Sequence, residues 1–225
     1  MLLLVADTSG KQGGVGLVRV ADVEPQRIEV IEEVPLIGGT FSAQLIPQIA
    51  GLLSKHGLDK RDIDAFVVIS GPGSFTGLRV GLAAIKALAE ILQKPILPVS
   101  LLEIIAVASR LDGKVSAAID AGRGEVYLGE YQVTEGSAQR LNEQLLPVAD
   151  FVSAAAGSSG ATISPTLSDV ARKACLPVVF IEAVTTEIIA RLGWKKLRAG
   201  ETVSPEALEA NYIRRSDAEI FSKPQ

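Results

Sequence analysis

The sequence predicts an α/β protein built as two similar small lobes with mixed sheets. Three observations predict it. Strand-like apolar runs alternate with helix-like periodicity along the whole chain. A strand ending in aspartate, followed by small residues and a second strand, occurs twice, at Val5-Ala6-Asp7-Thr8-Ser9 and at Ala118-Ile119-Asp120-Ala121-Gly122. No linker, low-complexity tract or charge block separates the halves, and the lobes are expected as residues 1–106 and 107–225, with a C-terminal tail that can return to the first lobe.

The elements follow in order. Leu2 to Ala6 is a continuous apolar run, Gly14 to Val20 alternates loosely, and Arg27 to Leu36 is rich in Val and Ile, so three strands come first. Ser42 can cap a helix whose apolar positions Leu45, Ile46, Ile49, Leu52 and Leu53 share one face. Pro47 predicts a late start or a kink in that helix, and Gly57 a stop. Ala65 to Ile69 reads as a strand buried on both faces, and a helix is expected over Leu78 to Leu92. Ile96 to Val99 is a strand and Leu101 starts another helix. Val115 to Ile119, Glu125 to Val133 and Ala138 to Leu146 are three further strands. Helix and strand then alternate through Val178 to Ile181, and a last helix runs from Thr185 to Arg198, ending at Gly200.

Two lobes that each open with a strand, an aspartate turn and a second strand have the layout of the actin-like ATPase superfamily. There, paired turns grip phosphates from opposite sides of a cleft. The plainer reading, two ordinary turn aspartates, stays open beside it.

The stretch Ser70-Gly71-Pro72-Gly73-Ser74-Phe75-Thr76-Gly77 joins a buried strand to a helix, a place where backbone N–H groups can hold an anion. It is no P-loop, because no Lys-Ser or Lys-Thr pair follows at the required spacing. As a dinucleotide fingerprint its glycines are misplaced by one residue, and Val99 is followed by Ser100 rather than an acid. A tight turn whose glycines allow close packing is the structural alternative.

In the helix behind this loop, Arg79, Lys86 and Glu90 share one narrow stripe and nearly everything else is apolar or small. Gly77, Gly81, Ala84 and Leu88 form a small-residue ridge that another helix could approach closely. An ordinary surface helix needs one apolar arc, whereas this one has enough for two contacts, either with its own sheet and a second subunit or within one domain on both sides. A charge placed at Gly81 or Ala84 is expected to break the pairing and leave the fold intact.

Composition narrows the function classes. A hydrophobic content of 48% excludes a disordered protein, and charges interrupt every apolar run short of a membrane span. Met1 to Ala6 has no basic flank and reads as a strand rather than a secretory signal. A net charge of −4 and 4% aromatics argue against stand-alone nucleic-acid binding. With His56 and Cys175 the single residues of their types, no His/Cys metal cluster can form, and Cys175 has no internal disulfide partner, which suits a reducing cytoplasm. His56 sits where a helix is expected to end, a position that suits a surface imidazole better than a catalytic triad.

The chain resembles the TsaB family, also called YeaZ. The resemblance is carried by Asp7-Thr8-Ser9, by Ser70 to Gly81, by Ile119 to Tyr127 and by the tail Tyr212 to Glu219, in that order along the chain. It implies an actin-like fold and a non-catalytic subunit that pairs with the related catalytic subunit TsaD. With the ATPase TsaE, these proteins add threonylcarbamoyl to the adenosine next to the tRNA anticodon, so tRNA contact would be indirect and the setting cytoplasmic. The family's pairing surface is built from two first-lobe helices, which correspond to Ser42–His56 and Leu78–Leu92 here. The expected partner-binding residues are therefore Leu45, Ile49 and Leu52 on the first, with Phe75, Gly77, Gly81, Ala84, Ile85 and Leu88 on and before the second. The same surface would serve a homodimer.

Departures from the family pattern bear on nucleotide binding. Thr40-Phe41-Ser42 stands where a histidine is common, Ser164-Pro165-Thr166 where a glycine pair is usual, and Asn211 where a proline precedes the terminal tyrosine. No catalytic residue and no metal site is expected. Asp7, Thr8, Ser9 and Asp120 are vestigial phosphate contacts, where magnesium with ATP or ADP would sit if any nucleotide bound. The alternative function is a small actin-fold ATPase or sugar-kinase-like phosphotransferase.

Overall fold

A computed structural model describes residues 1–21 and 27–214. Seventeen elements need only the following labels: β1 (Leu2–Asp7), β2 (Gln12–Val20), β3 (Ile28–Ile37), α1 (Phe41–Lys55), β4 (Ala65–Gly71), α2 (Phe75–Leu92), β5 (Ile96–Ser100) and α3 (Leu101–Ala108), followed by β6 (Gly113–Gly122), β7 (Glu125–Thr134), β8 (Ser137–Pro147), α4 (Val148–Ala154), β9 (Ser159–Thr162), α5 (Pro165–Lys173), β10 (Val178–Phe180) and α6 (Thr186–Arg198), with a short 3₁₀ turn at Lys60–Asp62 before β4.

The internal similarity extends to whole-sheet topology. The first sheet has the order β3-β2-β1-β4-β5 and the second, reversed, β8-β7-β6-β9-β10. In each, three antiparallel strands lead into two parallel ones, and helices follow the third, fourth and fifth strands. Two copies of one β-β-β-α-β-α-β-α unit make the chain, which is the two-lobed α/β arrangement expected.

Contacts divide the described residues into Met1–Ile104 with Ala183–Ala210, and Ile105–Glu182 with Asn211–Arg214. The first unit thus takes more than a tail from the second half, because α6 packs on its sheet. A Cβ on Gly193 of α6 would lie 2.5 Å from the Val67 side chain, and one on Gly16 of β2 would lie 2.6 Å from Thr186. Sequence separation alone cannot show such a return, since α6 has the same amphipathic pattern whichever sheet it covers.

The first sheet is therefore covered on both faces. Leu4, Ala6, Phe66 and Val68 pack towards α1 and α2, among Leu45, Ile49, Leu52, Leu78 and Ile85. The alternate residue Val67 meets α6. This explains why β1 and β4 are apolar without interruption. Helix α1 starts at Phe41, with Thr40 at the N-cap position but making no side-chain capping bond, so Pro47 lies in its interior; of the late start or kink expected, the late start does not occur, and Ser42 lies within the first turn. In the second unit, Ala118, Val126, Leu128 and Leu146 pack against Phe151 of α4 and Leu167 of α5.

Candidate functional site

The loop after β4 exists to press against the turn after β1. The Ser74 N–H donates to the Ser9 carbonyl at 2.6 Å, and the Ser74 hydroxyl caps α2 by accepting from the Gly77 N–H at 3.3 Å. A Cβ on Gly73 would lie 2.3 Å from the Ser9 carbonyl oxygen, and one on Gly77 2.1 Å from that of Thr8. Both distances are far inside contact range, so the glycines permit backbone-to-backbone packing. The Ser74 and Gly77 amides have partners in the chain, and close packing accounts for the glycines of the loop.

The aspartate turns are built by local bonding. The Asp7 carboxylate accepts from the Ser9 N–H at 2.8 Å and the Ser9 hydroxyl at 2.7 Å. Thr8 and Ser9 are buried, at 1% and 4% exposure, and the Thr8 hydroxyl has no hydrogen-bond partner. In the second unit the exposed Asp120 accepts from the Gly122 N–H at 2.7 Å, while its own N–H donates to the Ser164 hydroxyl at 2.9 Å. Ser164 also precedes Pro165 at the start of α5, so the departure from glycine here serves as a hydrogen-bonding strut. Among the described residues no group of three or more His, Cys, Asp or Glu is placed to hold a metal. His56 ends α1 with its Nε2 2.7 Å from Glu32, which also pairs with Lys55.

Burial holds the Asp7 carboxyl above its ordinary value; the two Ser9 bonds pull it down and the nearby Glu33 charge adds to the rise. The folded pKa exceeds the unfolded one, so the stability this group contributes is full below the unfolded value and is lost as pH rises through the folded value. Asp7→Asn keeps an acceptor for the Ser9 N–H and removes the charge. The difference in melting temperature between variant and parent is therefore expected to grow in the variant's favour from pH 4 to pH 7. A constant difference across that range would show that the fold does not raise the Asp7 pKa.

The helix pair holds the other candidate residues. Leu45, Ile49 and Leu52 of α1 and Ile85 of α2 are at most 5% exposed and fill the unit's own core. Gly77 and Gly81 are buried too: a Cβ on Gly81 would lie 2.2 Å from the Thr8 hydroxyl oxygen, and one on Gly77 also nears the Phe41 ring at 3.3 Å. The ridge thus serves the turn after β1 and the start of α1, and these six residues are not presented to a partner. A charge at Gly81 would break the fold before it tested any interface. Ala84 and Leu88 are partly buried on the flank, while Phe75 is 37% exposed with the Arg79 guanidinium 3.8 Å over its ring.

What faces outward is a different set. On α2, Thr76, Val80, Ala83, Ala87 and Ile91 lie within one narrow arc; Val80 is partly buried, the others are exposed, and Ile91 reaches 72%. Arg79, Lys86 and Glu90 flank this arc on one side. On α1 the outward residues are Ala43, Ile46, Pro47, Ala50 and Ser54, and a Cβ on Gly51 would meet nothing within 4 Å. Both outer faces are small, apolar and uncharged along their centres, and the two helices pack side by side. Sequence reasoning found these helices but named mainly residues that fill the unit's own core; Ile46 and Ile91, exposed large apolar residues, were the available signal for the outward faces.

Comparison with known proteins gives consistent results. Residues 36–182 match the sequence model of the family described as TsaD, tRNA N6-adenosine threonylcarbamoyltransferase. The chain is similar to the tRNA threonylcarbamoyladenosine biosynthesis protein TsaB of Bacillus subtilis, 36% identical over 148 residues, 65% of this chain and 60% of that protein. It is 40% identical to Escherichia coli TsaB over 95 residues, 41% of each chain. The aligned segment thus spans about 60% of the first of these curated relatives and less of the second. Among solved structures, YeaZ from Pseudomonas aeruginosa superposes with a TM-score of 0.73 at 30% identity, covering 93% of this chain and 100% of that one.

Proposed function

The chain belongs to the TsaB (YeaZ) family, and from that premise we propose that it is the non-catalytic subunit that supports a TsaD-type partner in adding threonylcarbamoyl to tRNA. One observation carries the reading: the outer faces of α1 and α2 form a paired, uncharged apolar surface on a sheet whose other face α6 already covers. Helices that cover their own core normally turn charge to solvent, so an uncharged outer stripe on two adjacent helices fits a second polypeptide. The small outward residues Ala43, Ala50, Ala83 and Ala87 would let the partner's helices approach closely.

In this role the chain supplies no reacting group. It shields the partner's apolar helices and holds them in register, while tRNA and the nucleotide-hydrolysing TsaE protein engage the partner. The aspartate turns give the two lobes their shape rather than a phosphate grip. No described helix is long and apolar enough to cross a membrane, and we place the complex in the cytoplasm.

The test is complementation. In bacterial cells depleted of their own TsaB, expression of this chain with its cognate TsaD should restore threonylcarbamoyladenosine, measured by mass spectrometry of digested tRNA. Absence of the modified nucleoside, with both proteins soluble and expressed, would overturn the proposal.

A further inference from the structure

The end of the described chain changes its manner of attachment at Asn211. Before it, Val203 bridges to Ile96 of β5, and Leu208, 5% exposed, joins the first core with Val203 and Ala210 beside it. From Asn211 to Arg214 there is no regular secondary structure, and the contacts at its two ends are polar and lie on β6, β7 and β8 of the second unit. The Asn211 amide donates to Glu143 at 2.6 Å. Glu143 has a side chain only 5% exposed, and it also accepts from the Tyr131 hydroxyl and lies 3.6 Å from Arg140. The Arg214 guanidinium pairs with Glu125, reaches the Gly122 carbonyl at 3.4 Å and stands 5.8 Å over the Tyr127 ring.

Arg214 therefore grips the turn that follows Asp120. That turn is conformationally demanding: Gly122, Arg123 and Gly124 all have positive φ, at 70°, 57° and 75°. Asp120 holds it from one side through the Gly122 N–H, and Arg214 holds it from the other through the Gly122 carbonyl and Glu125. We infer that Asn211–Arg214 is a releasable latch, fastened by polar contacts at its two ends, and that its closure orders the second aspartate turn. The inference does not depend on the proposed function. Arg215 and the matching tail residues Ser216 to Glu219 lie outside the described residues.

The energetics favour release without unfolding. The Arg214–Glu125 side chains are 23% and 36% exposed, so water and salt screen the pair. Such pairs are individually weak, and segments held by them open locally at far lower free energy than the core. The guanidinium fork does add a directional bond to a backbone carbonyl that a lysine could not duplicate.

The test is amide hydrogen exchange on the full chain, comparing the parent with Arg214→Ala, Glu125→Gln and the double variant. Exchange at Gly122 to Glu125 is expected to accelerate roughly tenfold in Arg214→Ala, less in Glu125→Gln, which leaves the bond to the Gly122 carbonyl, and no further in the double variant than in Arg214→Ala. In the parent, raising sodium chloride to about 1 M should accelerate the same amides, while thermal unfolding stays a single transition. Unchanged exchange at the turn in Arg214→Ala, or effects that add in the double variant, would overturn the latch. If a variant fails to fold, the salt series on the parent decides alone: acceleration at the turn supports the latch, and none refutes it.

Discussion

Replacing Ala83 or Ala87 by glutamate is expected to abolish pairing with a TsaD partner while leaving the chain folded. Both alanines are exposed on α2, and glutamate is a good helix former, so the isolated subunit should keep its melting temperature within experimental spread. In the complex each carboxylate would be enclosed beside apolar side chains; Arg79 and Lys86 lie one turn from Ala83, so Ala87→Glu, with no basic residue one turn away, is the more disruptive of the two. An uncompensated buried charge costs about 3–5 kcal/mol, which corresponds to a weakening of roughly two to four orders of magnitude in Kd. Titration calorimetry, or co-purification through a tag on the partner, reads this directly. Arg79→Ala tests the flank of the same arc and should weaken pairing less, since rim charges contribute little beside the buried centre. Survival of the complex with either glutamate in place would exclude the outer face of α2 from the interface, and with it the carrying observation for the proposed function.

The second large effect concerns the glycine loop. Gly77→Ala is expected to destabilise the first unit by about 3 kcal/mol or more, because the new Cβ would lie 2.1 Å from the Thr8 carbonyl oxygen and neither backbone has room to retreat. Gly81→Ala should behave differently. Its Cβ meets the Thr8 hydroxyl oxygen at 2.2 Å, a side-chain atom that can be removed. Pairing it with Thr8→Ala should therefore recover most of the loss, whereas no substitution at Thr8 can rescue Gly77→Ala. Thr8→Val alone should stabilise by about 1 kcal/mol, since the buried hydroxyl it removes lacks a partner. Gly51→Ala is the contrasting control: its Cβ would enter open space, and alanine in a helix interior is worth about 0.5–1 kcal/mol over glycine. Urea unfolding of the six variants measures all of these. Equal losses in Gly77→Ala with and without Thr8→Ala, beside recovery in Gly81→Ala, is the pattern required. Recovery at both positions would mean that the turn after β1 can shift.

Much of the candidate site was legible because it rests on local chemistry. Asp7 followed by Ser9, and Asp120 followed by Gly122, spell turns in which a carboxylate accepts from a nearby amide. The fold of each half was legible for the same reason, since strand alternation and helix periodicity are written within ten residues of one another. The orientation of α1 and α2 was less so. On α2 nearly every residue outside the Arg79, Lys86 and Glu90 stripe is apolar or small, so the pattern does not say which apolar arc meets the sheet. Gly77 and Gly81 suggested a helix interface because small residues permit any close approach, and here what approaches is Thr8 with Phe41.

By itself, then, the sequence determined most of the element order, the strand–aspartate–turn–strand opening repeated in each half and the absence of the His and Cys needed for a metal cluster of those residues, all of which follow from short-range periodicity and residue counts. Tertiary structure alone decided that α6 covers the first sheet, that the glycine ridge turns inward against Thr8, and that Arg214 grips the turn after Asp120. Each of those is a contact between segments about 70 to 180 residues apart, where the amphipathic pattern of either partner is compatible with several neighbours and only simultaneous packing of all of them selects one.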